Sequence, residues 1–140
     1  MTVCVDTNVL LQARASGHPY GPIMDAFMFG LMKWAVSTRI LAEYREIIGS
    51  MAGAEAWRTM EAFIDLVEES GDLVRVEPHF QFQVIGIDPD DNAFCDCAIA
   101  ADADYVITDD RHFAPLAGAG YKPQPISPLE FIERYRGVHV

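Results

Sequence analysis

Three observations predict an α/β domain whose central parallel sheet of four or five strands has helices on both faces. Short runs of β-branched and apolar residues alternate with helical stretches of ten or more residues, a pattern that sets strands parallel and lays crossover helices over the sheet. The 140 residues are 51% apolar and 22% charged, enough apolar side chain for one buried core and too much for a disordered chain. No apolar run approaches the roughly 18 residues that a membrane span needs. One domain over residues 1–140 is expected. The N-terminus runs from MTVCV straight into Asp6-Thr7-Asn8 with no basic leader, so a cytoplasmic location is the default expectation.

Residues 2–5 are apolar and β-branched and read as a buried first strand, closed by Asp6-Thr7-Asn8, with a helix opening at Val9. Ser16 to Pro22 is a loop rich in Gly and Pro. A strongly apolar helix over about Ile23–Met32 follows, then a strand over Trp34–Ser37 and a helix over about Thr38–Ile48. Gly49 to Gly53 punctuate the chain before an amphipathic helix, about Ala54–Glu69, whose Trp57, Met60, Ile64 and Val67 fall on one stripe. Leu73–Val76 reads as a strand, and Pro78 to Ile87 as a loop crossing the sheet. Asp88-Pro89 has the form of an N-cap and first helical residue, opening a helix to about Ala101. Tyr105–Thr108 is the next strand, followed by a short helical turn and a Gly-rich loop. Gln124–Ile126 suits an edge strand, and Ser127-Pro128-Leu129-Glu130 starts a last helix with the spacing of a capping box.

Four acids recur just beyond strand ends or on the helix that follows: Asp6, Glu43, Asp91 after the VIGI stretch, and Asp110. Sites in parallel α/β folds form outside the carboxyl ends of the strands. Each acid alone has a plainer explanation as a helix cap, a partner of a helix dipole or a solvated face. Their common topological level is what favours a site. Phosphodiester hydrolysis by a hard divalent cation needs such oxygen ligands, with a water lowered in pKa as nucleophile.

The net charge of −11 argues against a broad cationic surface for nucleic acid, but not against an enzyme that meets phosphate through a bound cation and a few arginines. Arg14, Arg39, Arg45 and Arg111 are the RNA-contact candidates, each near an acid in sequence. Cys4, Cys95 and Cys97 are an odd set ill suited to a disulfide framework and read as reduced core residues. His18, His79, His112 and His139 show no zinc-like pairing and read as surface residues, and no histidine stands in a recognisable relation to Ser37 or Cys4 for covalent catalysis.

The ordered set Val5-Asp6-Thr7-Asn8-Val9-Leu10-Leu11, Ser37 through Glu43-Tyr44-Arg45, and Asp88-Pro89-Asp90-Asp91-Asn92-Ala93-Phe94 through Ala103 to Thr108-Asp109-Asp110 resembles the PIN-domain family. Within it, the chain is most similar to toxins of bacterial and archaeal toxin–antitoxin pairs akin to VapC ribonucleases. The resemblance spans nearly the whole chain. It implies a PIN-like three-layer α/β/α fold and a ribonuclease dependent on Mg²⁺ or Mn²⁺. Asp6, Glu43, Asp91 and Asp110 match the family's four acids in turn. Asp6 and Asp91 are implied to hold the principal ion, with Glu43 and Asp110 on a second ion or its waters. Asn8 and Thr108 match polar positions that support the acids by hydrogen bonding. The chain departs from the pattern in its acid-rich third segment, where Asp88, Asp90 and Asp96 stand beside Asp91, and in Asp109, where relatives often carry Gly. Asp96 falls about 140° around a helix from Asp91, which leaves Asp91 as the ligand and Asp96 and Asp88 as outer supports.

A homodimer and an antitoxin partner are implied by the same resemblance. The Ile23–Met32 helix, with Met24, Phe27, Met28, Phe29, Leu31 and Met32, would supply a docking patch if one face is exposed, extended by Trp57. Two other classes stay open: a PIN-like scaffold that binds RNA or protein without cutting, and a response-regulator receiver with Thr108 and Lys122 in its later roles.

Overall fold

The computed structural model describes residues 1–84 and 89–135. Five strands form one all-parallel sheet in the order β3-β2-β1-β4-β5: β1 (Thr2–Val5), β2 (Lys33–Val36), β3 (Leu73–Arg75), β4 (Tyr105–Ile107) and β5 (Gln124–Ile126). The helices are α1 (Thr7–Ala13), α2 (Gly21–Met28), α3 (Thr38–Ala52), α4 (Ala54–Glu69), α5 (Pro89–Ala100) and α6 (Pro128–Tyr135), with a 3-10 segment over Arg111–Gly118. The expected α/β/α layering is thus present. The strand order is not the 2-1-3-4-5 order of a receiver, so that alternative is excluded by topology.

In this order the chain leaves β1 first to one side of the sheet and later returns to the other, so the switch point lies between β1 and β4. Val5 pairs with Ile107, so Asp6 and Thr108 emerge side by side into the crevice at that point. The core beneath is formed by Val3, Cys4, Val5, Trp34, Ala35, Val36, Val106 and Ile107, all fully buried. Phe27 stacks on Trp34 with ring centroids 4.3 Å apart, and Trp34 leads on to Tyr44. The three cysteines are buried and unbridged, as core residues.

Several boundaries differ from the sequence reading for identifiable reasons. Helix α2 ends at Met28 rather than Met32. Gly30 adopts φ +68°, and the Leu31 and Gly30 N–H groups bond back to Ala26 and Phe27 at 2.9 and 3.2 Å, which is a Schellman closure. The apolar run continued past that stop and disguised it. Helix α3 passes through Gly49 and ends only at Gly53, whose φ of +101° turns the chain directly into α4. Helix α1 starts at Thr7, two residues before Val9, and β2 starts at Lys33 and ends before Ser37, which caps α3 by accepting the Ile40 N–H at 3.2 Å. Of the VIGI stretch only Val84 is described, and it is irregular; 85–88, including Asp88, lie outside the described residues, as does His139. At the last helix Ser127 Oγ accepts the Glu130 N–H at 3.2 Å, while the Glu130 carboxylate turns to Arg134.

Met28 and Phe29 are 62% and 72% exposed, leaving an apolar face uncovered at the end of α2. Phe29 and Leu31 line a groove of about 240 Å³ with Phe131, Ile132 and Tyr135 of α6. Trp57 does not extend it, because it lines a separate groove with Arg45 and Arg58. No helix of the described residues is long and apolar enough to cross a membrane.

Candidate metal centre

Asp6 follows the last residue of β1 and is only 6% exposed. Asp6 stands at the N-cap position of α1 but its side chain makes no capping hydrogen bond there beyond the pull of the adjacent Thr7 N–H, so capping does not account for this acid. Instead Asp6 Oδ2 accepts a hydrogen bond from Thr108 Oγ1 at 2.8 Å, across the switch point. Thr108 Oγ1 in turn accepts the Asp110 N–H at 2.9 Å. One hydroxyl thus fixes the end of β1 and the chain after β4 to each other, and sets the spacing between two acids.

Glu43 and Asp91 arrive from the layer above the sheet. Glu43 lies on α3, where Thr7 Oγ1 donates to its Oε2 at 2.6 Å. Its neighbour Tyr44 is fully buried and donates its hydroxyl to the Val5 carbonyl, the residue before Asp6. That bond anchors α3 to the end of β1, so the position of Glu43 follows from a core contact. Asp91 stands in the first turn of α5 and is 8% exposed. Asp110 caps the 3-10 segment, its Oδ1 accepting the His112 N–H at 2.8 Å.

Donor atoms of Asp91, Asp110 and His112 lie within 4.8 Å of one another. Burial raises the Asp6 carboxyl from its ordinary 3.8 to about 6; the Thr108 hydroxyl and the Thr7 N–H oppose this, and the charges of Asp110 and Glu43 add to it. The ionised form of Asp6 is therefore disfavoured by burial and by other acids, with only neutral donors to offset them. A divalent cation would reverse the sign of that field. The donor set of carboxylates with one imidazole fits such an ion, since hard divalent cations take oxygen ligands.

The remaining candidates separate by place. Thr108 supports the acids as expected, but the α1 residue that does so is Thr7 rather than Asn8, whose side chain is exposed and makes no hydrogen bond to the acids among the described residues. Asp96 points elsewhere. Its Oδ1 accepts the Phe82 N–H at 3.0 Å, and it lines a cleft of about 190 Å³ with Ser37, Arg39 and Glu77. Glu77 Oε1 there accepts from both the N–H and the hydroxyl of Thr38, closing the start of α3 onto the end of β3. Asp109 accepts the Tyr20 hydroxyl. Arg39 borders the Asp96 cleft and Arg111 adjoins Asp110 in the chain, whereas Arg45 faces the Trp57 groove. Arg14 lines a cleft of about 570 Å³ against α4, which includes none of the four acids. His112 was not legible as a site residue: its neighbourhood depends on the 3-10 turn bringing it back over Asp110, and nothing in its sequence spacing announces that.

Comparison with known proteins agrees with this fold. A family model described as PIN domain matches residues 2–112. The crystal structure of VapBC2 from Rickettsia felis bound to a DNA fragment from their promoter superposes with a TM-score of 0.57 at 13% identity, covering 91% of this chain and 98% of that one. At that identity the likeness is one of fold. No curated protein sequence matches the chain.

Proposed function

The chain belongs to the PIN-domain family, and we propose that it is a metal-dependent endoribonuclease acting in the cytoplasm as the toxin of a toxin–antitoxin pair. PIN domains are generally nucleases, and the observation that carries the proposal here is the Asp6–Thr108–Asp110 chain at the switch point, with Asp91 beside Asp110 and with Glu43, bonded to Thr7, adding its charge to that of Asp110 on Asp6. In this reading Asp6, Glu43, Asp91 and Asp110 hold Mg²⁺ or Mn²⁺. A divalent ion held there lowers the pKa of water and offsets the charge that develops on the phosphoryl oxygens.

The chain's own residues do the rest by position. Thr108 and Thr7 hold Asp6 and Glu43 in fixed rotamers through one short hydrogen bond each, so little reorganisation accompanies substrate entry. No side-chain nucleophile is needed. Arg39 and Arg111, at the same end of the sheet as the acids, are the cations that would meet RNA phosphates, while Arg14 and Arg45 face other grooves. The exposed Met28 and Phe29 beside the α2–α6 groove suit an antitoxin segment or a second copy of the chain, and the fold likeness to a VapBC2 complex favours the antitoxin.

The test is cleavage of a labelled structured RNA by purified protein in Mg²⁺ and in Mn²⁺, with EDTA and an Asp6→Asn, Asp91→Asn double variant as controls. Cleavage that requires the ion and disappears in the variant is expected. A folded protein that cuts no RNA and binds neither ion would instead be a non-catalytic PIN scaffold.

A further inference from the structure

The four matched acids do not account for His112. Its ring shares the space of Asp91 and Asp110, with one donor atom from each of the three within 4.8 Å of the others. Ligands about 2.1 Å from a common ion lie roughly 3 Å apart when cis and about 4.2 Å when trans, so this group sits close to ligating spacing. The turn that carries the imidazole is itself tied to the acid. Asp110 Oδ1 accepts the His112 backbone N–H at 2.8 Å, which fixes the turn, and lies 3.3 Å from His112 Nδ1, so the ring stands beside that carboxylate.

The consequence is one of ion selection. Mg²⁺ takes oxygen ligands and keeps several waters, and an imidazole adds little to its binding. First-row transition ions accept imidazole readily. Resting on the metal-centre reading above, we propose that His112 supplies a nitrogen ligand beside Asp91 and Asp110 and makes this site prefer a first-row transition ion, with Mn²⁺ as its probe, over Mg²⁺.

Pulsed EPR of the Mn²⁺-loaded full chain, paired with calorimetric titration of Mn²⁺ and Mg²⁺, tests this without reference to activity. The wild type should show nitrogen modulation that changes on selective ¹⁵N-histidine labelling. His112→Gln should lose that modulation and bind Mn²⁺ about tenfold more weakly, with Mg²⁺ affinity within about twofold of wild type. A second variant, His112→Ala, and matched thermal melts separate ligand loss from misfolding. Mn²⁺ bound with no histidine modulation, or modulation that persists in His112→Gln, overturns the inference and leaves the carboxylate centre standing. Failure of the wild type to bind either ion removes the metal centre itself, and the inference with it.

Discussion

Asp91 and Asp96 stand five residues apart on one helix, both 8% exposed, yet they serve different surroundings. Asp96 stays raised by desolvation, against which the Phe82 N–H and the charge of Arg39 act locally. It reads as a structural acid that ties the 78–84 loop to α5. Asp91 faces Asp110 and His112, and Asp110 in turn, with Glu43, adds to the burial that pushes the Asp6 carboxyl up. Burial alone therefore does not mark a site. What separates Asp96 from Asp6 is the arginine charge that acts on Asp96, where the groups that oppose the rise at Asp6 are the neutral Thr108 hydroxyl and Thr7 N–H.

The largest expected effect follows from that contrast. Asp91→Asn should lower ion-dependent RNA cleavage at least about a hundredfold, because a ligand to the charge-stabilising ion is lost. Asp96→Asn should leave cleavage within about threefold. Single-turnover rates for the two variants on the same RNA check both.

The stability of the metal-free protein should move the opposite way at Asp6. A carboxyl raised from 3.8 to about 6 stabilises the fold only when protonated, so its contribution is complete below about pH 3.8 and lost as pH rises through about 6. At pH 7 the ionised Asp6 then costs roughly 3 kcal/mol, a shift of about two pH units at 1.36 kcal/mol each. Asp6→Asn should accordingly be more stable than wild type in EDTA at pH 7 by roughly 1–3 kcal/mol. That advantage should fade as pH falls toward 4. Urea denaturation of the pair across pH reads the difference directly, and saturating Mn²⁺ should reverse its sign.

Smaller effects test the hydrogen bonds that position the acids. Thr108→Val removes both the donor to Asp6 and the acceptor for the Asp110 N–H, and should weaken ion binding about tenfold with a stability loss of roughly 1–2 kcal/mol. Tyr44→Phe leaves the Val5 carbonyl without its buried donor and should cost about 1–2 kcal/mol. It should also slow cleavage modestly through Glu43, whereas a purely structural Tyr44 would leave cleavage unchanged at temperatures where both proteins are folded.

Strand and helix order was legible because β1 to β4 are short, largely apolar runs and the two longest helices, α3 and α4, carry a 3.6-residue stripe; Ala54–Glu69 agrees to the residue. The four acids could be proposed as a set from the sequence because parallel topology puts strand ends at one level. Other features depended on tertiary detail. The stop at Gly30 was masked by apolar residues on both sides of it. Thr7 was passed over for its neighbour Asn8 because which first-turn residue faces Glu43 depends on the rotation of α1 as it leaves Asp6. His112 reaches the acids only through a 3-10 turn longer than the short one expected after Thr108. The division of labour between Asp91 and Asp96 was foreseeable from helix geometry, but its cause, the Phe82 N–H, belongs to a loop with no periodic signal.

The central claim, that the Asp6-side acids need an ion and the Asp96 side does not, is tested most directly by calorimetric titration of Mn²⁺ into wild type, Asp91→Asn and Asp96→Asn at one pH. The account predicts matching binding by wild type and Asp96→Asn, with Asp91→Asn weakened at least about tenfold. Equal binding by all three proteins, or weakening in Asp96→Asn alone, would contradict it.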